Sequence, residues 1–203
     1  MGEKSQKESV TLRVVLDTSI FVNPDSRFVF GKSPDEAFIN FLKEIKGKNK
    51  LSFFMPPSVY RELLNFIEAP PTLKETVAIR KQPPSSYESG VPAIMVYELI
   101  EEIRSRINKG LRIAEKYSLK KLKEEGGIQK RNGEEIIKNL RQEYRTALRE
   151  GIIDSKEDFD LILLAKDLGG ILATSDKGLI KWASKLGISC VDSGELKEII
   201  LGH

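Results

Sequence analysis

Short β-branched apolar runs alternate with segments whose apolar residues recur every three or four positions, and this alternation restricts the chain to a parallel sheet covered by helices. Leu12 to Leu16 (LRVVL) reads as a buried strand that stops at Asp17-Thr18-Ser19. Pro34 to Ile45 carries Ala37, Phe38, Phe41, Leu42 and Ile45 at helical spacing, with Ser33 as N-cap before a first-turn proline. Leu51 to Met55 (LSFFM) is a second strand. Pro56-Pro57-Ser58 stops it and starts a helix through Val59, Leu63, Leu64, Phe66 and Ile67, ended by Pro70-Pro71. A segment with Pro83-Pro84 and Ser85-Ser86 is expected to be an irregular loop.

Helical spacing resumes over Pro92 to Tyr117 and again over Ile136, Leu140, Tyr144 and Ala147, with Gly126-Gly127 and Asn132-Gly133 between. These two stretches predict a helical hairpin inserted between the strand units. Ser155 then caps a helix through Leu168, ended by Gly169-Gly170. Ile171 to Ala173 is a third strand, Lys177 to Leu186 a helix, Ile188 to Val191 a fourth strand, and a last helix starts at Ser193. The expected organisation is a tail over 1–9, a first α/β part over 10–91, the hairpin over 92–150 and a second α/β part over 151–203. With 203 residues, that is one domain carrying a sizeable insertion.

Residue chemistry narrows the function. The one cysteine, Cys190, excludes an internal disulfide and a Cys-rich zinc site, and its apolar surroundings suggest a structural thiol. The one histidine is His203, the last residue, which removes Ser-His-Asp and Cys-His catalysis. Carboxylates must then carry any catalysis. No apolar run reaches the ~18 residues of a membrane span. Met1 to Ser9 is polar and lacks the apolar stretch of a secretory signal. A cytoplasmic location with no membrane partner is the expectation.

Four acids stand at strand ends or helix starts. Asp17 follows the first strand, Asp176 follows the third by three residues, and Asp154 and Asp158 lie four apart where a helix begins. Ligands of open α/β sheets collect outside the carboxyl ends of the strands, so acids from three distant stretches converge on one edge. Packed carboxylates repel unless a cation sits among them, and oxygen-only ligands suit Mg²⁺ or Mn²⁺. The plain alternative is that a strand-end Asp forms a turn and that an Asp in a first turn answers the helix dipole. The four acids taken jointly, with Thr-Ser flanking both Asp17 and Asp176, favour the metal reading. Glu62, on the helix after the second strand, is a candidate fifth acid. Asp160 sits about 200° round the helix from Asp158 and is expected to point elsewhere.

Net charge is +3 overall, but Arg104 to Arg149 holds 14 Lys and Arg against 6 Glu and no Asp. That segment has an excess of eight positive charges, which leaves the rest of the chain negative by five. Arg141, Arg145 and Arg149 stripe one helix face, with Lys130, Arg131 and Lys138 near, while Lys120, Lys121 and Lys123 cluster on the other arm. Such charge suits phosphate backbones, and an ordinary solvated helix face is the alternative reading. A double-helical RNA stem is read by shape and backbone, which needs little else.

Three stretches resemble a known family. VVLDTSIF at 14–21 is similar to the opening strand of PIN-domain nucleases, PPSVYREL at 56–63 to their second acidic helix, and DFDLILLAKDLGGILATSD at 158–176 to their closing motif. Chain length, the long helical insertion, and the segments IDSKEDFDLILLAKDL and SDKGLIKWASKLGI resemble more narrowly the protein-only ribonuclease P family called HARP, formerly RNA ligase partner proteins. The likeness covers nearly the whole chain after the first ten residues. It implies an α/β/α PIN-like sandwich and an Mg²⁺-dependent ribonuclease whose four metal-binding and catalytic aspartates fall on Asp17, Asp154, Asp158 and Asp176. The wider PIN pattern places Glu62 at the second acid. The resemblance further implies removal of the 5′ leader of precursor tRNA, and dimers assembled into larger rings with the hairpin projecting as a spike. Rival readings are another PIN endoribonuclease, such as a toxin or rRNA-processing enzyme, and a non-catalytic RNA-binding subunit.

Overall fold

The structure, a computed structural model, describes residues 11–68, 71, 76–85, 90, 92–124, 133–149 and 155–203, without the side chains of 119–124, 133 and 147–149. The expected N-terminal tail and Asp154 therefore lie outside the described residues, as do Lys130 and Arg131. Two compact units divide the chain, one of Met1–Ser89 with Ile153–His203 and one of Gly90–Ile152.

The first unit is built on five parallel strands: β1 (Leu12–Leu16), β2 (Leu51–Met55), β3 (Ile79–Lys81), β4 (Ile171–Ala173) and β5 (Cys190–Val191). Their order across the sheet is β3-β2-β1-β4-β5, so β1 is central. Val14, Val15 and Leu16 are fully buried, which is how a strand covered on both faces reads. The ladder aligns Val15 with Phe54 of β2 and with Leu172 of β4. From β1 the chain winds outward through β2 to β3, then returns to place β4 on the other side of β1. That reversal makes the β1/β4 boundary the topological switch point, the place where open α/β sheets hold their ligands.

Helices cover the sheet to give an α/β/α sandwich. Two single-turn helices, α1 (Ser19–Val22) and α2 (Pro24–Arg27), follow β1, and α3 (Pro34–Glu44) leads to β2. Ser33 caps α3 by accepting the Glu36 N–H, with Pro34 at the first position. Phe38 and Phe41 of α3 meet Phe21, Phe30 and Phe53 edge to face at centroid distances of 5.1 to 5.4 Å. Each buried aromatic of this kind contributes about 2–3 kcal/mol through lost water contact. The helix α4 (Pro57–Leu64) follows β2, and α7 (Lys156–Leu168) precedes β4. Leu161 through Ala165 of α7 are all buried, and Gly169 ends the helix with a φ of 56°, a left-handed value that disfavours other residues. Finally α8 (Lys177–Lys185) and α9 (Ser193–Leu201) frame β5. A capping box of Asp192 and Glu195 opens α9.

Two differences from the sequence reading stand out. Ile79 to Lys81, to which the sequence reading assigns no element, forms an edge strand on β2. The helix α4 stops at Leu64 rather than running to the proline pair, although Ile67 beyond it is still buried.

The second unit is a helical hairpin of α5 (Ala93–Glu124) and α6 (Gly133–Arg149). A Cβ on Gly110 would come within 2.5 Å of the Tyr144 ring, so glycine permits the close approach of the two helices. Glu143 accepts from Lys116 at 2.7 Å and from the Tyr117 hydroxyl at 3.0 Å across the pair. Among the described residues no helix is long and apolar enough to cross a membrane.

Candidate active site

Asp17 is placed by the end of β1. Its N–H donates to Ala173 O at 3.0 Å, which extends the β1–β4 ladder by one rung and brings Asp17 beside Thr174. Its side chain is buried, with 6% of its surface exposed. Ser19 Oγ donates to Asp17 Oδ2 at 2.5 Å and Thr174 Oγ1 donates to the same oxygen at 2.6 Å. The direction of these bonds follows from a second pair. Ser175 N–H donates to Ser19 Oγ and Asp176 N–H to Thr174 Oγ1. An amide only donates, so each hydroxyl accepts there and turns its proton to Asp17. Oδ2 is thus held by two hydroxyls, Thr18 Oγ1 makes a longer 3.3 Å contact to Oδ1, and the Ser19 N–H also donates to the carboxylate.

Asp176 is exposed and opens α8, its Oδ1 accepting the Leu179 N–H at 2.8 Å. Burial raises the Asp17 pKa, the hydroxyls of Ser19 and Thr174 partly offset that, and the Asp176 charge raises it further. Glu62, half-buried on α4, is raised by burial and then by the charges of Asp17 and Glu157. The fold therefore brings Asp17, Asp176 and Glu62 within electrostatic reach at the carboxyl edge. Glu157, from the first turn of α7, joins them, and sequence reasoning did not single it out. Asp158 is the third residue of α7, half-buried, with its N–H capped by Ser155 Oγ at 3.0 Å.

Among the described residues, no three His, Cys, Asp or Glu side chains stand close enough to hold a metal ion as placed. The donor set is nonetheless that of a hard divalent cation, carboxylate oxygen throughout. Two of these carboxyls are already raised by burial and mutual repulsion, a penalty that a cation relieves.

Comparison with known proteins shows the family. The family model described as PINc domain ribonuclease matches residues 13–202. The chain belongs to this family. Within the PINc ribonucleases, it is 50% identical over 190 residues to the RNA-free ribonuclease P of Pyrococcus furiosus, covering 93% of this chain and 92% of that protein. The RNA-free ribonuclease P of Thermodesulfovibrio yellowstonii is 46% identical, and that of Nitrosococcus oceani 38%, each match covering 93% of both chains. PINc ribonucleases depend as a class on divalent metal, which agrees with the all-oxygen donor set.

A second candidate surface lies on the helical hairpin. Ile137, Lys138, Arg141, Gln142 and Arg145 line a concavity along α6, and the Lys and Arg side chains are exposed. The side chains of Arg149 and of Lys120, Lys121 and Lys123 lie outside the described residues.

Proposed function

We propose that the chain is an RNA-free ribonuclease P, a divalent-metal endonuclease that removes the 5′ leader of precursor tRNA. The observation that carries this reading is the anchored Asp17, within electrostatic reach of Asp176 and Glu62 at the switch point, in a chain matched over nearly its full length by RNA-free ribonucleases P. Asp17, Asp158 and Asp176, with Asp154, are the proposed metal-binding and catalytic acids, and Glu62 a further one. Mg²⁺ is the proposed ion and Mn²⁺ its substitute. A bound cation supplies charge neutralisation on the scissile phosphate and a lowered pKa for the attacking water. The chain's own part is orientation. Ser19 and Thr174 fix the Asp17 carboxylate through Oδ2, and Thr174 joins Asp17 to the Asp176 backbone. Hydrolysis leaves a 5′ phosphate on the mature tRNA as the leader's 3′ oxygen departs.

Arg141, Arg145 and Lys138, with Arg149, Lys130 and Arg131, are the proposed RNA-backbone contacts. Homo-oligomerisation into dimers and rings is supported by Ile100, Ile103, Ile107 and Leu111, which recur at helical spacing along α5 and stay about half exposed. A cytoplasmic setting follows from a tRNA substrate. The test is incubation of purified protein with end-labelled precursor tRNA and Mg²⁺, with the cut mapped. One cut at the mature 5′ end, abolished by EDTA, is expected. Cuts elsewhere would favour another PIN endoribonuclease, and intact RNA a binding subunit.

A further inference from the structure

Helix α4, which carries Glu62, and helix α7, which carries Glu157 and Asp158, are joined by a polar contact in the first turn of α4, just past the end of β2. Ser58 Oγ donates to Asp160 Oδ2 at 2.7 Å across 102 residues of sequence, and both residues are half-buried. Ser58 is the second residue of α4 and Glu62 follows one turn later, so the two share a face. Glu157 and Asp160 lie three apart on α7 and share a face likewise. The α4 face holding Ser58 and Glu62 thus meets the α7 face holding Asp160 and Glu157.

That pairing has an electrostatic cost. Glu62 feels the charges of both Asp17 and Glu157, and like charges drive the helix bearing one of them away. Buried Val59, Tyr60 and Leu63 bind α4 to the core, but apolar packing is non-directional and resists rotation of the helix weakly. A short hydrogen bond to a carboxylate is directional and stronger than one between neutral groups. Early in a helix, serine commonly turns to nearby backbone. Ser58 instead reaches a distant acid.

We propose that Ser58 and Asp160 are positioning residues, whose hydrogen bond sets the rotation of α4 against α7 and so holds Glu62 facing Asp17. Asp160 acts as an acceptor for Ser58 and not as a metal ligand. The inference rests on the metal-site reading above and adds the device that spaces its acids. Outer contacts of this kind typically tune metal affinity or activity by about 10–100-fold.

The test uses full-length protein, with Mn²⁺ affinity read by electron paramagnetic resonance in the absence of RNA, and kcat and KM for precursor tRNA measured separately. Ser58→Ala and Asp160→Ala are expected to weaken Mn²⁺ binding by about 10–100-fold and to lower kcat at limiting metal, with KM for RNA unchanged. The double variant is expected to be no worse than either single one, because both remove the same bond. Ser58→Thr and Asp160→Asn keep a donor and an acceptor, and should bind Mn²⁺ within about threefold of the parent. Those two variants decide the matter if either alanine variant fails to fold by circular dichroism. Equal damage from Asp160→Asn and Asp160→Ala would make the charge itself the functional element and overturn the proposal. Additive losses in the double variant, or unchanged Mn²⁺ affinity in Ser58→Ala, would overturn it too. Asp17→Asn runs alongside. If it is inactive while Ser58→Ala matches the parent, only this inference fails; if it still cuts, the metal-site reading fails and takes the inference with it.

Discussion

Asp17 ends the central strand as a buried acid, and burial with the Asp176 charge lifts its pKa above the ordinary 3.8. Between 3.8 and that higher folded value, the folded chain holds more proton than the unfolded chain. The stability contributed at this position is therefore complete below the unfolded value and is lost as pH rises through the folded one. At neutral pH the cost of ionising this buried group weighs against folding. Asn keeps the size and an acceptor oxygen for Ser19 and Thr174 while removing the charge. Asp17→Asn should consequently melt no lower than the parent at pH 7 in metal-free buffer, yet fail to cut RNA that it still binds. A clear drop in Tm would show that the hydroxyl network needs the carboxylate. The same pKa direction predicts that cleavage at limiting metal falls with acidification from a pH above the usual carboxylate range, since proton and cation compete for one oxygen. Asp17 and Asp176 were readable from the sequence because strand ends and Thr-Ser flanks mark them. The hydroxyl pair on the Asp17 carboxylate was not, since Ser19 and Thr174 lie 155 residues apart and meet through the β1–β4 ladder.

At the level of elements, local signals were reliable where a cap and a period coincide. Ser33-Pro34 and Ser155 open α3 and α7 where the sequence places them, and Gly169 closes α7. Strand β3 escaped detection for a physical reason. Of Ile79, Arg80 and Lys81 only the first is buried, so no alternation exists over three residues, and pairing with β2 alone makes the segment a strand. Helices α1 and α2 are four residues each, too short for a 3.6 period to register. In α4 the buried Ile67 prolongs the apolar pattern past the end of the helix at Leu64. The α7–β4 junction allows a sharper test. A Cβ on Gly170 would sit 2.7 Å from the carbonyl oxygen of Arg13, a backbone atom that cannot step aside. Gly170→Ala should cost about 1–3 kcal/mol in urea unfolding through overpacking, whereas a loop glycine would tolerate the change. Ser155→Ala should cost about 1 kcal/mol by freeing the Asp158 N–H, and should lower activity if the cap also sets that acid.

Across the whole molecule, positive charge is concentrated in one segment. The segment from Arg104 to Arg149 is strongly positive while the remainder is net negative and supplies the acids. Sorting of this kind suits a polyanionic substrate held by one set of residues and cut by another. Arg141 and Arg145 are exposed on one face of α6 and line its concavity with Lys138. If each neutralises one RNA phosphate, each releases counterions on binding, and affinity falls with salt in proportion to their number. Replacing both with Glu should weaken binding of precursor tRNA and flatten the plot of log affinity against log salt by about 1.5 or more, from roughly 0.7–0.9 per lost contact. The effect should be uniform across tRNA sequences, because backbone contacts carry no base information. Because the acids stay in place, kcat at saturating RNA should remain near that of the parent while KM rises. Filter binding across a salt series, paired with single-turnover cleavage, separates the two quantities. An unchanged salt slope would remove the α6 stripe from the RNA interface and leave it a solvated helix face. A collapse of kcat with intact binding would instead tie those arginines to the cleavage step.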